Sequence, residues 1–337
     1  MRKDGRIVAF GEILIRLSAP GAEWLLQSKA LEVAFGGAEA NVAVSLARFG
    51  HDVRMLSFAP DNALGRAACE ELRRYGVDVD GVKTAAGRMG LYFLTPGAGP
   101  RAAEVLYDRA GSAFARADFD AIDWAEALAG AGLLHVSGVT AALGPEAARG
   151  VQRAVREARR LGVAVSFDCN YRAKLWEAWN GNAARVLKDI LAHADIVFGD
   201  HRDIALALGR TFAADEARDR HAAAEAFAAF PQLGRIAHTT RVQHSANHNE
   251  LSATLYARDG VHHAPGMDLT HIVDRIGAGD AFAAGLLHGL RSGMEDGRAL
   301  SFALAAACLK HVTPGDFNLA RVGDVEAMLE RGLEVRR

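Results

Sequence analysis

Cysteine is scarce in this sequence and never paired. Cys69, Cys169 and Cys308 are odd in number, far apart and not spaced as CxxC, which excludes a disulfide framework or a cysteine-zinc site and points to a reducing compartment. Charge of one sign is also lacking: the formal net charge is −2 over 337 residues, so no global field favours nucleic acid or a membrane surface. No segment reaches the roughly 20 uninterrupted apolar residues of a membrane span. The opening run MRKDGRIVAFGEILIRL is interrupted by Glu12 and Arg16 and precedes no small-residue cleavage site, so it does not read as a secretory signal. A soluble cytoplasmic protein without nucleic-acid or membrane partners is expected. Also missing are the P-loop pattern G-x-x-x-x-G-K-[ST], a G-x-G-x-x-G closing the first strand, and any internal repeat. The 13 histidines are scattered. His244 and His248 lie in SANHNE and His262-His263 in a strand-like run, so no metal-ligand pattern is expected.

Half the residues are apolar and 24% are charged, enough to bury a sizeable core. Continuous apolar runs alternate with helical periodicity. Residues 6–17 (broken at Gly11-Glu12), 31–35, 52–59, 133–137, 163–168, 195–198 and 235–239 read as strands, and 61–75, 145–161, 182–193, 215–230, 278–290, 296–311 and 322–331 as helices, with one more starting at Ala38. This rhythm predicts an α/β fold with a doubly wound, mostly parallel sheet. Two hairpins interrupt it, at 89–109 around Gly97-Ala98-Gly99-Pro100 and at 251–264 around Asp259-Gly260. A single domain over 1–337 with a small appendage is expected, not tandem domains.

Candidate chemistry begins at DRIGAGDAFAAGLLHGL, residues 274–290. Gly277, Ala278 and Gly279 leave the backbone bare just before an apolar helix. A helix N-terminus there would offer free N–H groups to a phosphate or a developing negative charge. Asp280 beside such an anion hole reads either as a general base for a hydroxyl proton or as a plain helix-capping aspartate. Gly36-Gly37 with Asn41 offers close approach to a small polar ligand, or only a glycine-rich turn with an exposed Asn. Asn170, Arg172 and Lys174 follow the 163–168 strand, where open α/β sheets bind ligands, and the first hairpin carries Tyr92, Tyr107 and Arg109. The arginine fork matches carboxylates, so this set suits an acidic sugar unless Arg109 and Arg172 are ordinary surface charges. Trp176 and Trp179 read as core packing.

The segments GGAEANVAVSLARFG and DRIGAGDAFAAG together resemble the two signatures of the PfkB (ribokinase-like) carbohydrate kinases, and RMGLYFLTPGAGPRAAEVLYDRAGSAF, DCNYRAKLW and GDFN are similar to the 2-keto-3-deoxygluconate kinase branch. The resemblance covers nearly the whole chain. It implies a ribokinase-like fold with a discontinuous β lid from about 13–35 and 89–109, and ATP with Mg2+ as donor. Asp280 would be the base, with the backbone of Gly277, Ala278 and Gly279 stabilising the transferred phosphoryl group. Gly37, Asn41, Tyr92, Tyr107, Arg109 and Arg172 would contact the sugar acid. Asn170, Thr240, Ser245, Gly277 and Gly279 would lie near the nucleotide, with HTTRVQHSANHNELSATLY in place of a glycine-containing loop. Arg275 stands where many members have a small hydroxyl residue, at the monovalent-cation site of ribokinase-type enzymes. Edge strands of the lid would favour a homodimer. The alternatives are a kinase of a neutral sugar or nucleoside, such as a fructokinase or adenosine kinase, and a non-catalytic sugar binder of the same fold.

Overall fold

In the computed structural model, residues 4–331 are described, and residues 1–3 and 332–337 of the expected domain lie outside them. The strands are β1 (Arg6–Phe10), β2 (Leu14–Ser18), β3 (Glu32–Gly36), β4 (Val53–Ala59), β5 (Val82–Thr84), β6 (Gly90–Thr95), β7 (Glu104–Asp108), β8 (Ala131–Ser137), β9 (Ala164–Asp168), β10 (Ile196–Phe198), β11 (Arg235–Gln243), β12 (Asn249–Ala257) and β13 (Gly260–Leu269). They form a nine-stranded sheet in the order β13-β12-β11-β10-β9-β8-β1-β4-β5 and a four-stranded sheet in the order β3-β2-β6-β7. The large sheet is parallel from β5 to β11 and antiparallel at the β12 and β13 edge.

Strand alternation divides the core. Ile7 and Ala9 of β1 face the helices Ala38–Arg48, Ala278–Arg291 and Asp296–His311, while Val8 and Phe10 face Pro145–Arg160 and Ala183–Leu191. Both faces of β1 are thus dry, which is why its sequence is an unbroken apolar run. The 6–17 stretch divides at Gly11, where a Cβ would stand 2.0 Å from Glu39 Oε2, so that only glycine fits. The chain leaves the large sheet there and enters the small one at Leu14. In the small sheet Arg16 of β2 lies opposite Tyr92 of β6, and Tyr92 opposite Tyr107 of β7.

Strand β11 runs past the expected end at Thr239 to Gln243, paired along its length to β12. Its outer residues are exposed, so ladder hydrogen bonds rather than apolar burial extend it. The helix His201–Leu208 also escaped the periodicity reading, although its ends are well signalled. Asp200 and Asp203 form a capping box and Gly209 closes it in the left-handed conformation. No helix among the described residues is long and apolar enough to cross a membrane.

Candidate active site

Two helices with glycine N-caps meet at one hydrogen bond. Gly277 precedes Ala278–Arg291 with φ 79°, and a Cβ there would stand 2.0 Å from the Asp316 carbonyl oxygen. Gly37 precedes Ala38–Arg48 with φ 132°, and a Cβ would stand 2.1 Å from the Glu12 carbonyl oxygen. Only glycine satisfies both conformation and space at either position. One turn into the helices, Asn41 Nδ2 donates to Asp280 Oδ2 at 2.6 Å. Gly279 faces open space, so the amides that begin the late helix border a cleft. Replacing Gly277 with alanine is expected to lower kcat about 10²-fold by displacing these donors; wild-type kcat in the variant would contradict that.

The electrostatics of this cleft are unusual. Asp280 is only partly covered, but it sits deep, and burial pushes its carboxyl up to about 8; the Asn41 hydrogen bond opposes this, and Asp168, Asp316 and Glu39 add to it. Burial likewise lifts Asp168 to about 7, helped by Asp203 and opposed by Arg172, and lifts Asp203 to about 6. Glu39 is buried beneath, accepting from the backbone and hydroxyl of Ser137 and from Thr140 Oγ1. Several carboxyls held above their ordinary range at one place mark a site that expects cations or protons. Among the described residues no group of three or more His, Cys, Asp or Glu side chains is arranged to hold a metal ion.

The structure places the expected residues unevenly. Tyr92 is buried and its hydroxyl donates to Asp316 Oδ2 at 2.5 Å, and its ring centroid lies 5.8 Å from that of the exposed Tyr107. Arg109 is buried and already engaged: Nε and Nη2 both reach Glu12 Oε2, at 2.8 and 2.6 Å. Arg172 is exposed, donates to the carbonyl of Tyr171 and lies near enough to Asp168 to lower its pKa. Asn170 has φ 35° and a buried Oδ1 without a partner. Thr240 is exposed on β11, and Ser245 lies between β11 and β12, accepting from Asn247 N. Neither hydrogen-bonds to the Asp280 group among the described residues.

Four buried charged residues, Glu12, Arg16, Lys310 and Asp316, escaped the sequence reading as site candidates. Glu12 accepts from Arg109 and Ser112, Arg16 bridges Asp274 and Asp316, and Lys310 is fully buried. Each is a charge inside an otherwise apolar run or beside glycine, the signal that could have found them. A cavity of about 780 Å³ is lined by Arg16, Asn247, Asp274, Arg275, Gly315 and Asp316. It adjoins the turn at Gly277 without including Asp280.

Comparison with known proteins identifies relatives of the whole chain. Residues 4–318 match the pfkB family carbohydrate kinase pattern. The chain is 33% identical over 330 residues to the 2-dehydro-3-deoxygalactonokinase of Haloferax volcanii, with 97% of each chain covered. It is 31% identical over 317 residues to the 2-dehydro-3-deoxygluconokinase of Thermoproteus tenax, covering 92% of this chain and 89% of that one. The crystal structure of 2-dehydro-3-deoxygluconokinase from Thermotoga maritima superposes with a TM-score of 0.90 at 36% identity, covering 96% of this chain and 99% of that chain.

Proposed function

The chain belongs to the pfkB family of carbohydrate kinases, and from that premise we propose that it transfers a phosphoryl group from ATP to a primary hydroxyl of 2-keto-3-deoxygluconate or a related sugar acid. The observation that carries this reading is the 2.6 Å Asn41–Asp280 hydrogen bond, which holds a base beside bare helix-terminal amides. Asp280 takes the proton of the attacking hydroxyl through the oxygen that Asn41 leaves free. The amides of Gly277, Ala278 and Gly279 stabilise charge on the transferred group, and the helix dipole adds to them. Little covalent assistance is needed, because in-line phosphoryl transfer depends mainly on positioning and charge neutralisation.

Bound Mg2+ would supply neutralisation of the charge that develops on the transferred phosphoryl group. Such an ion keeps several waters and needs only one or two protein carboxylates. Asp168 and Asp203 fit that role, since a nearby cation relieves the burial that holds both above the ordinary range. The orphaned Oδ1 of Asn170 supports its place by the nucleotide, and the orphaned Oδ1 of Asn41 supports acceptance of a sugar hydroxyl. Thr240 and Ser245 flank the same open end of the sheet. The four-stranded sheet serves as the lid, with Gly37, Tyr92, Tyr107, Arg109 and Arg172 around the sugar acid. The exposed Val33 and Leu106 on its two edge strands favour covering by a second copy.

A neutral sugar is the second reading, favoured by the Glu12–Arg109 pair, whose charges cancel. Arg172 separates the two. Arg172→Ala is expected to cut kcat/KM about 10- to 100-fold for a sugar acid, the worth of a charge-assisted hydrogen bond, and to change it little for fructose or ribose. Equal losses on acid and neutral substrates would remove the carboxylate contact from the account.

A further inference from the structure

The resemblance brings with it a monovalent-cation site beside Asp274, and the residues present do not fit one. Both oxygens of Asp274 are taken: Oδ1 accepts from Ile276 N at 3.0 Å, and Oδ2 accepts from Gly315 N at 3.0 Å and Arg16 Nη2 at 2.7 Å. The carbonyl at the end of the adjoining helix, that of His311, accepts from Val273 N and Asp274 N at 2.8 and 3.1 Å. The Thr313 carbonyl accepts from the ammonium of Lys310 at 2.8 Å. A bound cation needs several free oxygens, and both carboxylate oxygens of Asp274 and the carbonyls of His311 and Thr313 are already engaged by the chain's own donors.

Two fixed cations stand in the same place. Arg16 is buried on β2, with Nη1 at 3.2 Å from Asp316 Oδ1. Lys310 is fully buried, and although burial lowers its pKa to about 8, Asp274 and Asp316 counter that shift. The two carboxylates are thus already matched by two cations of the chain, which leaves no uncompensated negative charge there for a third. The loop they hold matters for the reaction, because the Asp316 carbonyl oxygen lies where a Cβ of Gly277 would be. Moving Asp316 moves the turn that carries the amides.

We propose that Arg16 and Lys310 are built-in cations that neutralise Asp274 and Asp316 and brace the Gly277 turn, so that phosphoryl transfer requires no bound monovalent cation. Both act through the turn and are positioning residues. The inference deepens the kinase reading and rests on it. The test measures turnover and thermal melting of the wild-type protein in KCl, NaCl and choline chloride at equal ionic strength. Turnover within about twofold across the three salts, with coincident melts, is expected from cations that are fixed in the chain. Activation of about tenfold or more by KCl, or a melt raised by K+ but not Na+, would overturn the inference. Turnover in none of the salts would count against the kinase reading instead, and the melts would still decide the ion question. Lys310→Met should lose about tenfold or more in kcat in choline with a much smaller change in KM, and Lys310→Arg should recover part of it. A folded Lys310→Met with wild-type kcat in choline would also overturn it, and if that variant does not fold, the wild-type salt comparison decides.

Discussion

Replacing Asp280 with asparagine is expected to lower kcat about 10³-fold, within the range removed with a general base, while the protein stays folded. The amide keeps an oxygen to accept from Asn41, so the junction of the two helices is preserved, but it cannot take a proton. The pH dependence should change with it. In the wild-type protein the base works only after losing a proton held up to about 8, so kcat/KM should rise with pH through the neutral range, reach half its plateau near that value and level off above it. The variant should lack this limb.

Stability should move the other way. Between the ordinary 3.8 and the raised value of about 8 the folded protein holds a proton on Asp280 that the unfolded chain has released. Stability from this group therefore falls as pH rises across that window. Asp280→Asn removes the cost, and its melting temperature at pH 8 should exceed that of the wild type. A variant that retains substantial turnover would refute the role assigned to Asp280, and one that melts lower would refute the burial cost.

Glu12→Ala carries the largest expected loss of stability, about 3–5 kcal/mol, the usual result of removing one partner of a buried ion pair. Both side chains are buried, and Arg109 would keep its charge in a dry place with Nε and Nη2 unpaired. Glu12 also accepts from Ser112 and lies against the Gly90 position, where a Cβ would stand 2.4 Å from Oε1. Chemical denaturation of the two proteins measures the difference. Glu12→Gln, which keeps the shape and an acceptor, should lose less; if Glu12→Ala unfolds at the wild-type denaturant concentration, the pair does not hold the segments that follow β1 and β7 together.

Much of the fold is legible in local pattern. The β1 run with both faces dry, the Gly277-Ala278-Gly279-Asp280 helix start and the edge hairpin each announce themselves within a few residues. The chain is a doubly wound, ribokinase-like α/β protein for reasons that can be traced to those segments. The site is less legible, because its partners are remote in sequence. Arg109 reads as a carboxylate binder, and in the folded chain its guanidinium pairs with Glu12, 97 positions away. Sequence alone cannot separate an arginine kept for a substrate from one kept for the protein. Arg16 and Asp274 are 258 positions apart. Each alone looks like a solvated charge, and only folding shows that neither is. β11 outran its apolar signal because backbone pairing does not require apolar side chains.

The most direct measurement is ADP release by the purified protein with Mg-ATP, comparing 2-keto-3-deoxygluconate, 2-keto-3-deoxygalactonate, fructose, ribose and adenosine at matched concentrations. A strong preference in kcat/KM for one or both keto-deoxy acids is the predicted result. A preference for fructose, ribose or adenosine would contradict the assignment of a sugar-acid substrate.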